Sequence, residues 1–535
     1  MDDKAIAIII TNTSREYINY MKSKVQELYL PKDFEIDLIV SEYKGSLVES
    51  FQFGQDYSSA KYKIYIPPKS DILNKYFLRD VIRIFNSNKN VGVIGVVGGE
   101  KLSTTGRLEL SANLFGNILL KSGEKTNLLM PDFFYREVCF LSDDFLATQY
   151  DIKWRMDLLH GDNCWGISQT QEFRRKGFFA VVPHQYSPWI MRTEEHVASN
   201  DELNAILDEY SKDLYPLVSV IIPSYYPDFL VYSLDSVVNQ SYRNLDIFIS
   251  DDSDDDKINY LIKKYSNDSR IKFVRHNRFN SFENGSYCFH YNNANAEYVK
   301  WMMDDDILAL DCIARQVEYF QYFPDVTLVT SARKRIDENN NLLPDIPLTE
   351  RIVDKTTRFS GEVIADAMLM NLANSIGEPT TALCRKNAMY AGYKLGYNGE
   401  CPDHYFMSDI MTWLYLLTQG DLIYIAETLS YYRVHGRQES QGEAGRFASL
   451  IAWIRCIKWA RKSDKFLKNK SHFRRSLEMW CKIVEYNLRD SDKELNKSKY
   501  RKDLIAVFYV VKEALDNEID EIEFEHLLKH QFNDL

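Results

Sequence analysis

No stretch of the 535-residue sequence approaches the roughly 18 consecutive apolar residues of a membrane-spanning helix, so an integral membrane protein is not expected. The opening segment MDDKAIAIIITNTS lacks the basic start and long apolar stretch of a secretory signal, which makes the cytoplasm the expected compartment. The eight cysteines form no CxxC pair and no Cys/His ligand spacing, so a zinc ribbon or disulfide scaffold is excluded in favour of reduced, mostly buried thiols. Glycine-rich phosphate loops are missing too. GVIGVVGG at 92–99 has the wrong spacing for a dinucleotide fingerprint and reads as strand and turn, against a dehydrogenase or a sugar nucleotidyltransferase. Positive charge is short: the formal net charge is −12, which argues against broad nucleic-acid binding.

What is present is an ordinary globular composition, 45% hydrophobic and 27% charged, on a chain long enough for two or three domains. Tyrosine (35) and phenylalanine (29) are plentiful enough for large cores or for sugar-stacking surfaces. The chain carries one plan twice. AIAIII at 5–10 and VSVII at 218–222 open as buried strands followed by a polar turn and a helical segment. A second apolar strand follows in each copy, IDLIV at 36–40 and LDIFI at 245–249. This alternation predicts a mostly parallel α/β sheet in each copy.

The correspondence extends further: Asp71 precedes Asp306 by 235 residues, and Gly166 and Gly177 precede Asp409 and Gly420 by 243 each. Near-constant offsets suggest duplication. The second copy carries acids where the first carries Ser70 and Gly166, which points to the second as the working copy.

Asp304-Asp305-Asp306 follows the predicted strand Tyr298-Val299-Lys300-Trp301-Met302-Met303 and so falls at a carboxyl edge, where open α/β sheets bind ligands. Three neighbouring carboxylates repel one another unless a cation sits among them, and a divalent ion bridging them to a diphosphate answers that repulsion. Turn and helix-cap chemistry is the alternative. Asp251 and Asp252 also follow a strand, where a carboxylate suits a base N–H or ribose hydroxyl as well as it suits an Asx turn. Pro223-Ser224-Tyr225-Tyr226 ends the opening strand of the second copy and offers a ring to lie against a base. Asp409 opens a helix, as an N-cap or as a general base for an acceptor hydroxyl. His435, in Tyr432-Arg433-Val434-His435, stands within reach of a metal or diphosphate on this reading.

Together VSVIIPSYY, ISDDSDD, VKWMMDDDIL, IGEPTTALCRK and MSDIMTWLYLLTQGDLIYIAETLSYYRVH resemble the family 2 glycosyltransferases over roughly 217–440. The resemblance implies two tandem GT-A-like α/β/α domains, at 1–212 and 213–440, followed by an α-helical region at 441–535. It implies a nucleotide-sugar donor, with a UDP-sugar favoured, and inversion at the anomeric carbon. Carried over by position, Pro223, Tyr225, Asp251, Asp252 and Asp304 hold the nucleotide. Asp305, Asp306 and His435 hold Mn²⁺ or Mg²⁺, and Asp409 is the base. The DDD run is shifted from the family's acid-x-acid pattern, which leaves open whether Asp304 or Asp306 joins Asp305.

The first copy resembles a glycosyltransferase-like domain. It lacks that pattern's Asp at Gly166 and its His after Pro188-Trp189, so a structural or acceptor-binding role is expected. A glycan, lipid-linked glycan or glycoprotein acceptor is implied, and a catalytically silent scaffold is the competing reading. The helical region bears nine Lys/Arg and one acid between Arg455 and Arg475, and an acidic stretch at 516–525. The basic face is either solvated or suited to an anionic membrane surface, so peripheral membrane contact is compatible with the sequence.

Overall fold

The computed structural model describes residues 1–42, 45–68, 70–123, 128–194, 197–276, 281–291, 294–398, 407–438, 443–489 and 501–516. Lys69, Cys401 and positions 517–525 of the acidic stretch lie outside them. The chain divides into two compact units, 1–215 and 216–535. Among the described residues no helix is long and apolar enough to cross a membrane.

In the first unit, β1 (Asp2–Asn12) is flanked by β2 (Glu35–Glu42) and β3 (Ala60–Ile66), both parallel to it. A short β4 (Ser70–Ile72) follows β3. The sheet continues through β5 (Val91–Gly95), β6 (Tyr135–Val138), β7 (Leu146–Thr148) and β8 (Phe179–Pro183) in the spatial order β2-β1-β3-β7-β5-β8-β6. The chain starts at β1, moves to one side for β2 and crosses to the other for β3, which creates a switch point at the carboxyl ends of β1 to β3. Ile6, Ile8 and Ile10 of β1 alternate onto one face and pack with Phe77, Val81 and Phe85. β9 (Ile190–Arg192) pairs antiparallel with β4, and α1 (Trp165–Arg175) covers the sheet's other side.

The second unit repeats the opening. β10 (Leu217–Ser224) lies between β11 (Leu245–Asp251) and β13 (Ala296–Trp301), all parallel, with β12 (Ile271–Arg275) outside β11. Every residue of β11 is buried, as expected for a central parallel strand covered on both faces. α2 (Pro227–Val238) starts directly after β10, with Pro227 in its first turn, where the missing N–H has no intrahelical partner to lose. Beyond β13 the sheet runs through β16 (Leu383–Arg385), β15 (Val326–Ile336), β17 (Asp421–Arg433) and the short β14 (Ile307–Leu308). Together with two short flanking strands it makes ten.

The helices after residue 440 form no compact unit of their own. α6 (Glu443–Lys462), α7 (Lys470–Arg489) and α8 (Arg501–Asp516) share one core with α4 (Gly361–Asn371) and α5 (Ser408–Gln419). Ile451, Ile454, Ile457, Leu477, Trp480 and Val484 are buried there beside Met368 and Trp413. Full burial of each such aliphatic side chain contributes about 1.5–3 kcal/mol. The indole N–H of Trp480 donates to the Leu450 carbonyl at 2.6 Å, so α7 is fixed to α6 without leaving a buried donor unpaired. The seven cysteines in the described residues are all free, and all are buried or half-buried.

Candidate active site

The carboxyl ends of β10, β11 and β13 meet at the switch point of the second unit, and each brings the acids singled out in the sequence. After β13, Asp304 is buried, and its Oδ2 accepts from the backbone N–H of Tyr225 (2.8 Å) and Tyr226 (3.1 Å) and from the Ser224 hydroxyl (3.1 Å). It therefore ties β13 to the turn between β10 and α2. Burial first, then the neighbouring Asp305 charge, pushes the Asp304 carboxyl up to about 7.

Asp306 points into the protein. It is 1% exposed, its Oδ1 accepts the Arg433 backbone N–H at 3.0 Å, and its own carbonyl accepts from Ser233 at 2.6 Å. Burial and the Asp305 charge raise its pKa well above the ordinary carboxylate value. The structure thus directs Asp304 and Asp306 to backbone and hydroxyl donors.

Asp305 is the acid turned towards the edge. Its Oδ2 lies 3.0 Å from His435 Nε2 and 3.4 Å from Gln438 Nε2, while its side chain retains 14% exposure. His435 Nδ1 accepts the Arg437 N–H at 3.3 Å, which leaves Nε2 as the ring nitrogen that donates to Asp305. Phe229 lies against the imidazole with ring centroids 4.9 Å apart. Arg433, fully buried, donates from Nε to the Asp305 carbonyl at 2.7 Å and from its other nitrogens to Asp337 and Asn340. That cation fixes the backbone of the acid run and is spent internally.

The other predicted residues sit along the same edge. Asp251 ends β11 and is fully buried. Its Oδ1 makes the Asx turn to Ser253 N–H at 2.8 Å, but its Oδ2 has no hydrogen-bond partner, with Arg275 Nε 3.7 Å away. Asp252 is also buried, and its N–H donates to the Ser224 carbonyl at 3.0 Å. Pro223 pairs in register with Ser250 on β11. Tyr225 is 42% exposed, with its hydroxyl 3.1 Å from Asp254 Oδ2, so its ring is open to a flat partner.

Asp409 stands in the first turn of α5, after the cap position at Met407, and is no N-cap. It is half-buried, and Asn374 Nδ2 donates to its Oδ2 at 3.1 Å. Burial raises its carboxyl to about 7, with the negative charge of Glu378 adding to the rise and the Ile410 N–H and Asn374 opposing it. That value suits a proton acceptor near neutral pH.

Segment 374–381 links this acid to the Asp304–Asp306 run. Asn374 clamps Gly377 through two bonds of 3.0 Å, and Glu378 pairs with the buried Arg333 at 2.7 Å. Thr380 accepts the Met303 N–H at 3.1 Å. Gly377 holds φ +105°, and a Cβ there would lie 2.8 Å from Arg333, so glycine is required on both counts. The pattern IGEPTTALCRK (376–386) covers only part of this segment and gives none of its residues a role.

Asn284 was missed entirely. On the helix Ser281–Tyr291 it donates to the carbonyls of Ser224 (3.2 Å) and Ser250 (3.1 Å), stapling β10 to β11. Neither asparagine belongs to a spacing pattern that would have marked it.

Among the described residues no three His, Cys, Asp or Glu side chains gather as a metal cage. The Asp305–His435 pair fits a different arrangement, in which one or two protein ligands hold a hard cation and phosphate and water oxygens complete the shell.

The first unit has the same edge with other contents. Ser70 is 1% exposed and its hydroxyl has no hydrogen-bond partner. At the start of α1 the N–H groups of Cys164 and Gly166 both donate to Asp143, at 2.6 Å each. A Cβ on Gly166 would lie 2.3 Å from the Ser142 carbonyl oxygen, so no acid fits there. Arg192 makes a bidentate pair with buried Asp144 at 2.7 and 2.6 Å.

Comparison with known proteins gives a family match in each unit. Residues 7–210 match the glycosyltransferase-like family, and residues 219–387 match glycosyl transferase family 2. An uncharacterized glycosyltransferase of Haemophilus influenzae is 28% identical over 42% of this chain and 68% of its own length. The chondroitin synthase of Escherichia coli is 27% identical over 39% of this chain and 28% of its own length. A GalNAc(5)-diNAcBac-PP-undecaprenol beta-1,3-glucosyltransferase of Campylobacter jejuni is 30% identical over 17% of this chain and 31% of its own length. The chain therefore spans less than a third of the latter two relatives. The crystal structure of S. aureus TarS superposes with a TM-score of 0.42 at 12% identity, covering 59% of this chain and 53% of that one. The chain is a glycosyltransferase with two tandem domains, one matching the glycosyltransferase-like family and, after it, one matching glycosyl transferase family 2.

Proposed function

We propose that the second unit transfers a sugar from a nucleotide-sugar donor to a hydroxyl of a glycan, lipid-linked glycan or glycoprotein, with inversion at the anomeric carbon. The observation that carries this reading is one continuous edge holding Asp305 against His435 and, through the 374–381 segment, a half-buried Asp409 whose carboxyl is raised to about 7. On this reading Asp409 accepts the proton of the acceptor hydroxyl as that oxygen attacks the anomeric carbon, a step that contributes roughly 10²–10⁴ in rate. The Oδ2 of Asp251, which makes no hydrogen bond and lies 3.7 Å from Arg275, accepts an N–H of the base, a pairing that suits the imide of uracil, and Tyr225 lies against the base. Pro223, Asp252 and Asp304 shape the same cradle. The bonds of Asp252 and Asp304 to the β10–α2 turn support a positioning role.

Asp305 would hold Mn²⁺ or Mg²⁺, with His435 orienting it from behind and Asp306 anchoring the strand end. The bound ion would neutralise charge on the departing diphosphate. The first unit, with Ser70 and Gly166 at the corresponding places, performs no transfer. The relatives named for chondroitin synthesis and for extending an undecaprenol-linked glycan support a glycan acceptor. Incubating the full chain with a panel of nucleotide sugars and Mn²⁺ tests the reading. Release of nucleoside diphosphate that is lost in Asp409→Asn supports it, and unchanged release in that variant overturns the base.

A further inference from the structure

The segment 455–475 carries nine Lys/Arg and one acid, a local net charge of +8 within a chain of net −12. The structure gathers these cations at one end of the α6–α7 hairpin. α6 ends at Lys462, α7 begins at Lys470, and Lys462, Lys465, Lys468, Lys470, Arg474 and Arg475 are all exposed around the turn between them. Ordinary solvated helix faces interleave acids three or four residues away, and here that pattern is nearly absent. Arg474 pairs with Glu478 at 2.8 Å and Lys468 reaches Glu362 at 3.5 Å. Asp366, the acid beneath the turn, is committed to the Leu467 N–H (2.7 Å) and His472 (2.8 Å). The turn itself is held rigidly: Phe466 and Leu467 are buried in the shared core and Arg461 donates to the Leu467 carbonyl. The apolar side chains of this end thus face inward, and the exposed side chains are the cations with Asp464, Asn469 and Ser471 among them.

We propose that this end of the hairpin docks the chain electrostatically on an anionic phospholipid bilayer. The remainder of the chain is strongly acidic and is repelled by such a surface, so one orientation is selected. The contact is superficial, because no exposed aromatic or aliphatic side chain stands at the turn to insert among the acyl chains. The inference is independent of the catalytic reading, since none of these residues belongs to the candidate active site.

Sedimentation of the full chain with vesicles tests it. The chain is expected to bind vesicles of equal parts phosphatidylglycerol and phosphatidylcholine at low salt, to ignore pure phosphatidylcholine, and to be released as salt shortens the screening length. Each basic residue near such a surface contributes about five-fold in affinity. Replacing four of them, K462Q/K465Q/K470Q/R475Q, therefore lowers affinity about 100-fold or more, while thermal melting confirms that the fold is kept. The matched variant K22Q/K89Q/K153Q/K176Q removes four exposed lysines of the first unit and leaves binding unchanged. Equal loss in both variants, equal binding to neutral vesicles, or capture by inorganic polyphosphate with no vesicle binding overturns the proposal. The last outcome would assign the surface to a soluble polyanion.

Discussion

The two units present the same three parallel strands at the same kind of edge, yet they handle charge there in opposite ways. In the second, Asp305 keeps part of its carboxylate towards solvent, Asp251 keeps an oxygen that makes no hydrogen bond, and Asp409 is raised to about 7 by burial and by Glu378. In the first, charge is cancelled internally. Asp143 is spent on two helix-start N–H groups, and Asp144 and Arg192 neutralise each other. Shared architecture therefore does not fix what an edge offers a ligand. What separates the units is which groups stand at the edge: a part-exposed carboxylate beside a histidine in the second, and a buried serine hydroxyl with an internally neutralised Asp144–Arg192 pair in the first.

The largest effect that would break this contrast is at Asp409. Asp409→Asn is expected to lower transfer about 1,000-fold while donor affinity, read by calorimetry, stays within a few-fold. Asp305→Asn should weaken Mn²⁺-dependent donor binding about 100-fold, and wild-type affinity would remove Asp305 from the metal's surroundings. In the first unit, Gly166→Asp restores the missing acid but drives its Cβ into the Ser142 carbonyl. Thermal unfolding should report a loss of about 3 kcal/mol with no gain in activity.

A pH series sharpens the comparison. Because the folded state holds the Asp409 proton more tightly than the unfolded chain does, stability falls as pH rises from about 4 to about 7 and levels off above. Asp409→Asn lacks that fall. It should exceed the parent by up to roughly 4 kcal/mol at pH 8 and match it at pH 4. The smallest effect belongs to Asn374→Ala, which removes the donor to Asp409. It should move the acid limb of the pH–rate profile upward by about half a unit, and an unmoved limb would make Asn374 merely structural.

Much of this was legible in the sequence because parallel strands buried on both faces write themselves as continuous apolar runs. VSVII and LDIFI fell within β10 and β11, and Trp165 and Asp409 both opened helices as expected. The acids at strand ends were readable for the same reason, since strand position fixes where an edge lies. Their orientations were not readable. Three consecutive aspartates look equivalent in sequence, yet backbone direction sends one to the β10–α2 turn, one to His435 and one to β17. Asn284 and Asn374 act across more than 30 residues of chain on partners that no local spacing could nominate. The helical tail was legible as helices from its 3.6-residue periodicity, but not as part of the second unit's core, because periodicity reports an apolar face and never what covers it.

The tight seat around Gly166 carries a further implication for how such a tandem protein changes over time. With a main-chain carbonyl where a β-carbon would stand, and Asp143 plugging the helix start beside it, no single substitution returns an acid to that spot without first shifting the backbone. On the proposed reading, the absence of an acid at that spot is in that sense a ratchet: the surface of the leading domain can drift, while this position stays closed to a side chain.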